Sequence, residues 1–155
     1  MIATLAIQAE AWLQEELAAQ QSLGAALAAV GRAARSGAGP ELERSAAALQ
    51  ELLAPSAARE TRRVQLFERL AAALAVPVRT LTLTRLLPYL SAEDLDTARL
   101  VALRDELRAA VRANQEASRA LSALAHYHRG LLEEIWSLLA SGASGAEGHL
   151  VDARG

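Results

Sequence analysis

The side chains best suited to chemistry are few, and their spacing works against it. Three histidines occur, His126, His128 and His149. His126 and His128 lie two apart, which on a helix sends them toward nearly opposite faces, so they cannot share a metal. Carboxylates stand side by side at Glu15-Glu16 and at Glu133-Glu134. Adjacent helical residues do not face one another, and both pairs read as solvated faces. The chain has no Cys, which removes thiol chemistry, thiolate metal sites and disulfides. Every basic residue is Arg, so neither a Schiff-base lysine nor a phosphate-loop lysine is available. No glycine-rich phosphate loop, dinucleotide fingerprint, His-Glu-x-x-His pair or Gly-x-Ser-x-Gly elbow occurs. The expectation is a non-enzyme without catalytic residues, cofactor or metal.

Charge does not announce a partner either. Sixteen basic residues face eighteen acidic ones, and no basic face points to nucleic acid. Arg59, Arg62 and Arg63 cluster beside Glu60 and Glu68, a mixture ordinary on a solvated helix. No stretch is apolar and uncharged for long enough to insert into a membrane; even Leu17 to Gly31 is interrupted by Gln20, Gln21 and Ser22. No signal-peptide pattern opens the chain, and the cytoplasm is the expected location.

The scaffold is easier to read. Of 155 residues, 52% are hydrophobic, only 3% are aromatic, and roughly a quarter are Ala. Alanine loses no side-chain entropy in a helix, whereas a pleated sheet wants β-branched and aromatic residues. An all-α fold follows. A first helix is expected from Ile2 to Arg35, with Leu5, Trp12, Leu13, Leu17, Leu23, Leu27 and Val30 on its apolar face. Gly37 and Gly39 stop it, and Pro40 suits the first position of the next. The second helix should run from Pro40 to Ala75 on a stripe of Leu42, Leu49, Leu53, Val64, Phe67, Ala71 and Leu74, broken or kinked at Pro55. Thr80 to Thr84 alternates with period two, but a lone strand has nothing to pair with, so Val78 to Leu90 reads as a short helix or connector closed by Pro88. Ser91-Ala92-Glu93-Asp94 then offers a cap with an acidic first turn.

The third helix, from Ala92 to Ala140, carries a heptad. Leu100, Leu107, Asn114, Leu121, His128 and Ile135 form one row, and Leu103, Ala110, Ala117, Leu124, Leu131 and Leu138 the other. Five heptads of a and d positions imply coiled-coil-type packing; Asn114 and His128 at a positions read first as polar residues tolerated at a helix interface or facing water, and alternatively as residues that favour the pairing that satisfies them. At 1.5 Å per residue this helix would span roughly 70 Å, against roughly 50 Å for the first two. It should therefore overhang from about His126, exposing Leu131, Leu132, Ile135, Trp136, Leu138 and Leu139 as a partner surface. The fold expected is an elongated antiparallel bundle of three long helices in one domain, 1–140. The small-residue run Ser141 to Gly148 should begin a flexible tail, 141–155.

Glu60-Thr61-Arg62-Arg63 followed by Leu66, Leu70 and Leu74 resembles the second-helix signature of FlgN-like flagellar export chaperones. Arg112-Ala113-Asn114-Gln115 resembles the same family, as it runs into Leu121-Ser122-Ala123-Leu124 and then Leu131-Leu132-Glu133-Glu134-Ile135. The resemblance implies a cytoplasmic, non-catalytic chaperone of type III flagellar export. It would bind the C-terminal helices of hook-associated (hook–filament junction) proteins, keep them unassembled and present them to the export gate. The family's substrate-binding region falls here on Asn114, Leu121, Leu124, His128, Leu131, Leu132, Ile135, Trp136, Leu138 and Leu139. The ending, with Val151, Asp152 and Gly155, resembles the tail used for gate docking. Two positions depart from the pattern: Ala117 stands where a second Asn is frequent, and Val151 where a Tyr is common. The competing expectation is a generic coiled-coil adaptor that self-associates through the same seam.

Overall fold

The computed structural model describes residues 2–91 and 97–149, with side chains placed at 3–91 and 97–139. Its helices are α1 (Ile2–Ser36), α2 (Gly39–Leu53), α3 (Ser56–Ala73), α4 (Leu83–Ser91) and α5 (Thr97–His149), with a 3-10 turn at Val78–Thr80. Among the described residues there is no strand, so the all-α expectation holds. The chain divides into two units, Met1–Ala117 and Ser118–Gly155.

In the first unit, Gly37 adopts φ 70°, which lets the chain turn in two residues between α1 and α2. Pro40 sits in the first turn of α2, where its missing N–H costs no helical hydrogen bond. The break expected at Pro55 is present: α2 ends at Leu53, and the Arg59 N–H donates to the Pro55 carbonyl to start α3. At the far end of α3, Val76 N–H reaches back to the Ala71 carbonyl at 3.0 Å and Ala75 N–H to Ala72 at 3.3 Å. This Schellman closure requires a left-handed residue, and Ala75 takes φ 53° where glycine is usual.

The core lies between α1, α3, α4 and the start of α5. Leu13, Leu70, Leu86 and Leu90 are its largest fully buried side chains, joined by Leu5, Leu66, Leu81 and Leu100. Small residues take part: Ala6, Ala9 and Ala71 are buried, which lets neighbouring backbones approach. The expected stripe on the second helix is met in part: Ala71 is buried, and Phe67 and Leu74 pack half-buried against the core. No residue of α2 is buried, and Leu53 and Val64 are exposed, while Leu66, Leu70 and Ala71 carry the buried face of α3. The turn at Pro55 lets α2 and α3 each set their own face, so one stripe cannot be continued through both.

The Thr-Leu alternation resolves into a turn and a helix. Leu81 is extended and buried, Thr82 Oγ1 accepts the Arg85 N–H at 3.2 Å as an N-cap, and α4 follows. Pro88 lies inside α4 and does not close it; the helix loses one hydrogen bond and continues to Ser91. The acidic cap expected after Ser91 falls on 92–96, outside the described residues.

The small-residue run expected to start a flexible tail at 141 remains helical, because α5 continues to His149. Glycine weakens a helix but keeps its N–H, and no proline interrupts the stretch. The expected boundary at Ala140 therefore lies within a helix. Val151, Asp152 and Gly155 lie outside the described residues. No helix among the described residues is long and apolar enough to cross a membrane.

Candidate partner-binding face

The heptad seam places its residues in two different environments. Leu100 is buried, Leu103, Leu107 and Ala110 are half-buried, and Asn114 is 8% exposed. A buried amide needs partners, and Asn114 has them on α1. Its Nδ2 donates to the Gln20 carbonyl and to Gln20 Oε1, both at 2.8 Å. Gln20 Nε2 in turn donates to Glu16 Oε1 at 2.8 Å, and Glu16 Oε2 lies 3.3 Å from Arg59 Nε on α3. A polar chain thus links α5, α1 and α3. The last contact is an ion pair outside hydrogen-bond geometry, and the buried Arg59 Nε has no hydrogen-bond acceptor among the described residues.

Close approach at this point depends on a glycine. A Cβ built on Gly24 would stand 2.7 Å from Asn114 Oδ1, a distance real Cβ atoms do not adopt. Asn114 is thus a polar a residue satisfied at a helix interface within the chain. As a partner-contacting residue it is corrected: its amide is consumed by Gln20. Its four-residue companions Glu16 and Gln20 were legible only as solvated helix surface, since nothing in their local spacing reveals a buried amide 94 residues away.

The other seam residues named for partner binding belong to the second unit. Leu121 and Leu124 are half-buried. From His128 onward the row is exposed: Leu131, Leu132, Ile135, Leu138 and Leu139 all present large apolar surface, and Trp136 is 69% exposed. Exposure extends to Tyr127, whose ring meets His128 edge-on with centroids 5.9 Å apart. Arg129 Nε donates to Glu133 Oε1 at 3.0 Å, one turn along the same helix. Within roughly three turns the helix exposes six large apolar side chains.

In the Arg59, Arg62 and Arg63 group, expected as a merely solvated face, Arg59 and Arg62 join α3 to α1, and Arg63 pairs within α3. Arg59 pairs with Glu16, Arg62 with Glu15 at 3.7 Å, and Arg63 Nε donates to Glu60 Oε2 at 2.8 Å. The Arg63 hydrogen bond, assisted by its charge, holds the Glu60 carboxyl below the ordinary glutamate range despite an opposing desolvation effect. No group of three His, Asp or Glu among the described residues could hold a metal ion. No family model, curated protein or solved structure matches the chain.

Proposed function

We propose that this protein is a cytoplasmic chaperone of flagellar type III export that holds the C-terminal helices of hook-associated proteins and delivers them to the export gate. The observation that carries the reading is the exposed apolar run on α5 from Leu131 to Leu139. An amphipathic cargo helix laid along it would bury side chains on both partners, by packing and without turnover. The reading takes the scaffold as three principal helices in antiparallel array with coiled-coil-type packing along the Leu100 to Leu138 seam. Supporting it, Glu15 and Glu16 on α1 pair with Arg62 and Arg59 on α3 in opposite chain order, while Glu10 pairs with Arg99 at 2.7 Å on α5. The resemblance of Arg112 to Ile135 to FlgN-like chaperones supplies the cargo class.

The test is co-purification of the full chain with the C-terminal helices of hook-associated proteins from a flagellated source cell, with hydrodynamic mass measured alone and in mixture. A defined complex with those helices is expected. A stable oligomer of the chain alone, with no affinity for them, would overturn the reading in favour of a coiled-coil adaptor.

A further inference from the structure

A second surface lies in the first unit and uses none of the side chains assigned to cargo. Trp12 on α1, Phe67 on α3, Leu83 on α4, and Leu107 and Val111 on α5 floor an open cleft of about 620 Å³. Four arginines, Arg63, Arg104, Arg108 and Arg112, also line it, and no carboxylate does. In a chain of net charge −2 this is a local excess of positive charge beside apolar surface. Two of the four are held in place. Arg63 pairs with Glu60 and sits 5.8 Å from the Phe67 ring centroid, and Arg104 donates to Asp105 at 2.8 Å and to Thr84 Oγ1 at 3.3 Å. Arg108 and Arg112 are exposed and make no hydrogen bond or ion pair among the described residues.

We propose that this cleft docks an acidic amphipathic helix supplied by another protein. Arg104, Arg108 and Arg112 recur every four residues along α5, so their guanidinia rise by about 6 Å per step. Carboxylates one helical turn apart match that spacing, with large apolar side chains on the flank covering Trp12 and Phe67. Apart from the first turn of α4, the walls are helical segments whose backbone groups pair within their own helices, so an extended peptide would leave most of its own N–H and C=O groups without partners. A helix satisfies them internally. A nucleic acid fits less well, because the arginines stand beside an apolar floor of Trp12, Phe67 and Leu83 rather than along a continuous basic track. The proposal is independent of the exposed run from Leu131 to Leu139 that carries the cargo reading, since it uses no residue beyond Arg112.

The cleft contains its own reporter. The chain has two tryptophans, so Trp136→Phe leaves Trp12 as the sole tryptophan, excited apart from the tyrosines at the red edge of the absorption band. The full-length variant is titrated with a synthetic Leu/Glu peptide carrying Glu at four-residue intervals, and with its Glu→Gln counterpart, by Trp emission and calorimetry. Saturable binding of the Glu peptide is expected, at least about tenfold tighter than the Gln peptide and weakened by salt. R108E combined with R112E should weaken it at least about tenfold with the unfolding midpoint unchanged; R108Q with R112Q should fall between. Equal affinity for both peptides, or no heat with either, would overturn the proposal. So would a response to anionic phosphatidylglycerol vesicles or single-stranded DNA without one to the peptide, or a concentration-dependent mass of the chain alone abolished by the arginine changes.

Discussion

Leu100 and Leu103 on one hand, and Leu131, Ile135 and Leu138 on the other, occupy the same two rows of one heptad pattern on α5. Leu100 is 3% exposed and packs in a cluster with Leu13, Leu70, Leu86 and Leu90, whereas Leu131 and Ile135 are more than 40% exposed. Side-chain type and spacing are equal in the two regions. The difference is the supply of complementary apolar side chains from α1, α3 and α4 around the first. A heptad therefore specifies which face of a helix seeks burial, while its neighbours decide whether that face is covered.

Truncating the two regions should separate them most sharply. Leu70→Ala or Leu86→Ala, at positions with no exposure, should cost about 2–5 kcal/mol of unfolding free energy, by lost transfer energy and an unfilled cavity. Leu132→Ala or Trp136→Ala should change stability by no more than about 0.5 kcal/mol. Urea denaturation followed by circular dichroism checks both; similar costs would mean that the exposed run is packed in the free protein. In hydrogen exchange, amides from Leu131 to Leu139 should exchange faster than those from Leu100 to Val111 and slow when partner is added.

The exposed region should matter instead for binding. Leu131→Ala should weaken partner affinity by about 1–3 kcal/mol in titration calorimetry. Leu124→Ala, at a half-buried position, should do so to a similar degree. Unchanged affinity in both would remove the seam from partner binding and erase the functional half of the comparison.

A smaller effect with a diagnostic sign lies at Asn114. Gly24→Ala would ordinarily stabilise an interior helical position by about 1 kcal/mol. Here its Cβ would displace the Asn114 amide and its bonds to Gln20, and a net loss of about 1 kcal/mol is expected. In an Asn114→Ala background the same substitution should become stabilising. A double-mutant cycle by urea denaturation measures the reversal, and equal effects in both backgrounds would show that Asn114 does not set the α1–α5 approach.

The smallest expected effect is a pH dependence within the first unit. Arg63 donates to Glu60, so the folded carboxyl titrates below its unfolded value. The pair's contribution is present above the unfolded glutamate pKa and lost as pH falls through the folded one. The difference in urea midpoint between the parent chain and Glu60→Gln should narrow over that acidic window. A difference constant with pH would show that the pair contributes nothing through ionisation.

Sequence patterning makes much of the scaffold legible because helices are local objects. Alanine and leucine content, the turn at Gly37 to Pro40, the break at Pro55 and the absence of a paired strand at Thr80 to Thr84 all follow from propensity and punctuation. Illegible features depend on partners distant in the chain. Val64 and Leu53 match the period as well as Leu66 and Leu70 do, and the rotation of α3 after Pro55 decides which are buried.

The amino-acid sequence by itself determines that this protein is helical and that α5 carries one apolar seam with polar residues at Asn114 and His128. Only the tertiary structure decides that Asn114 is satisfied by Gln20, that Gly24 makes room for it, that Arg104, Arg108 and Arg112 border an apolar cleft, and that the seam is exposed from His128 onward. The reason is physical: periodicity is set within a few residues by backbone geometry, whereas burial is a property of which other surfaces arrive.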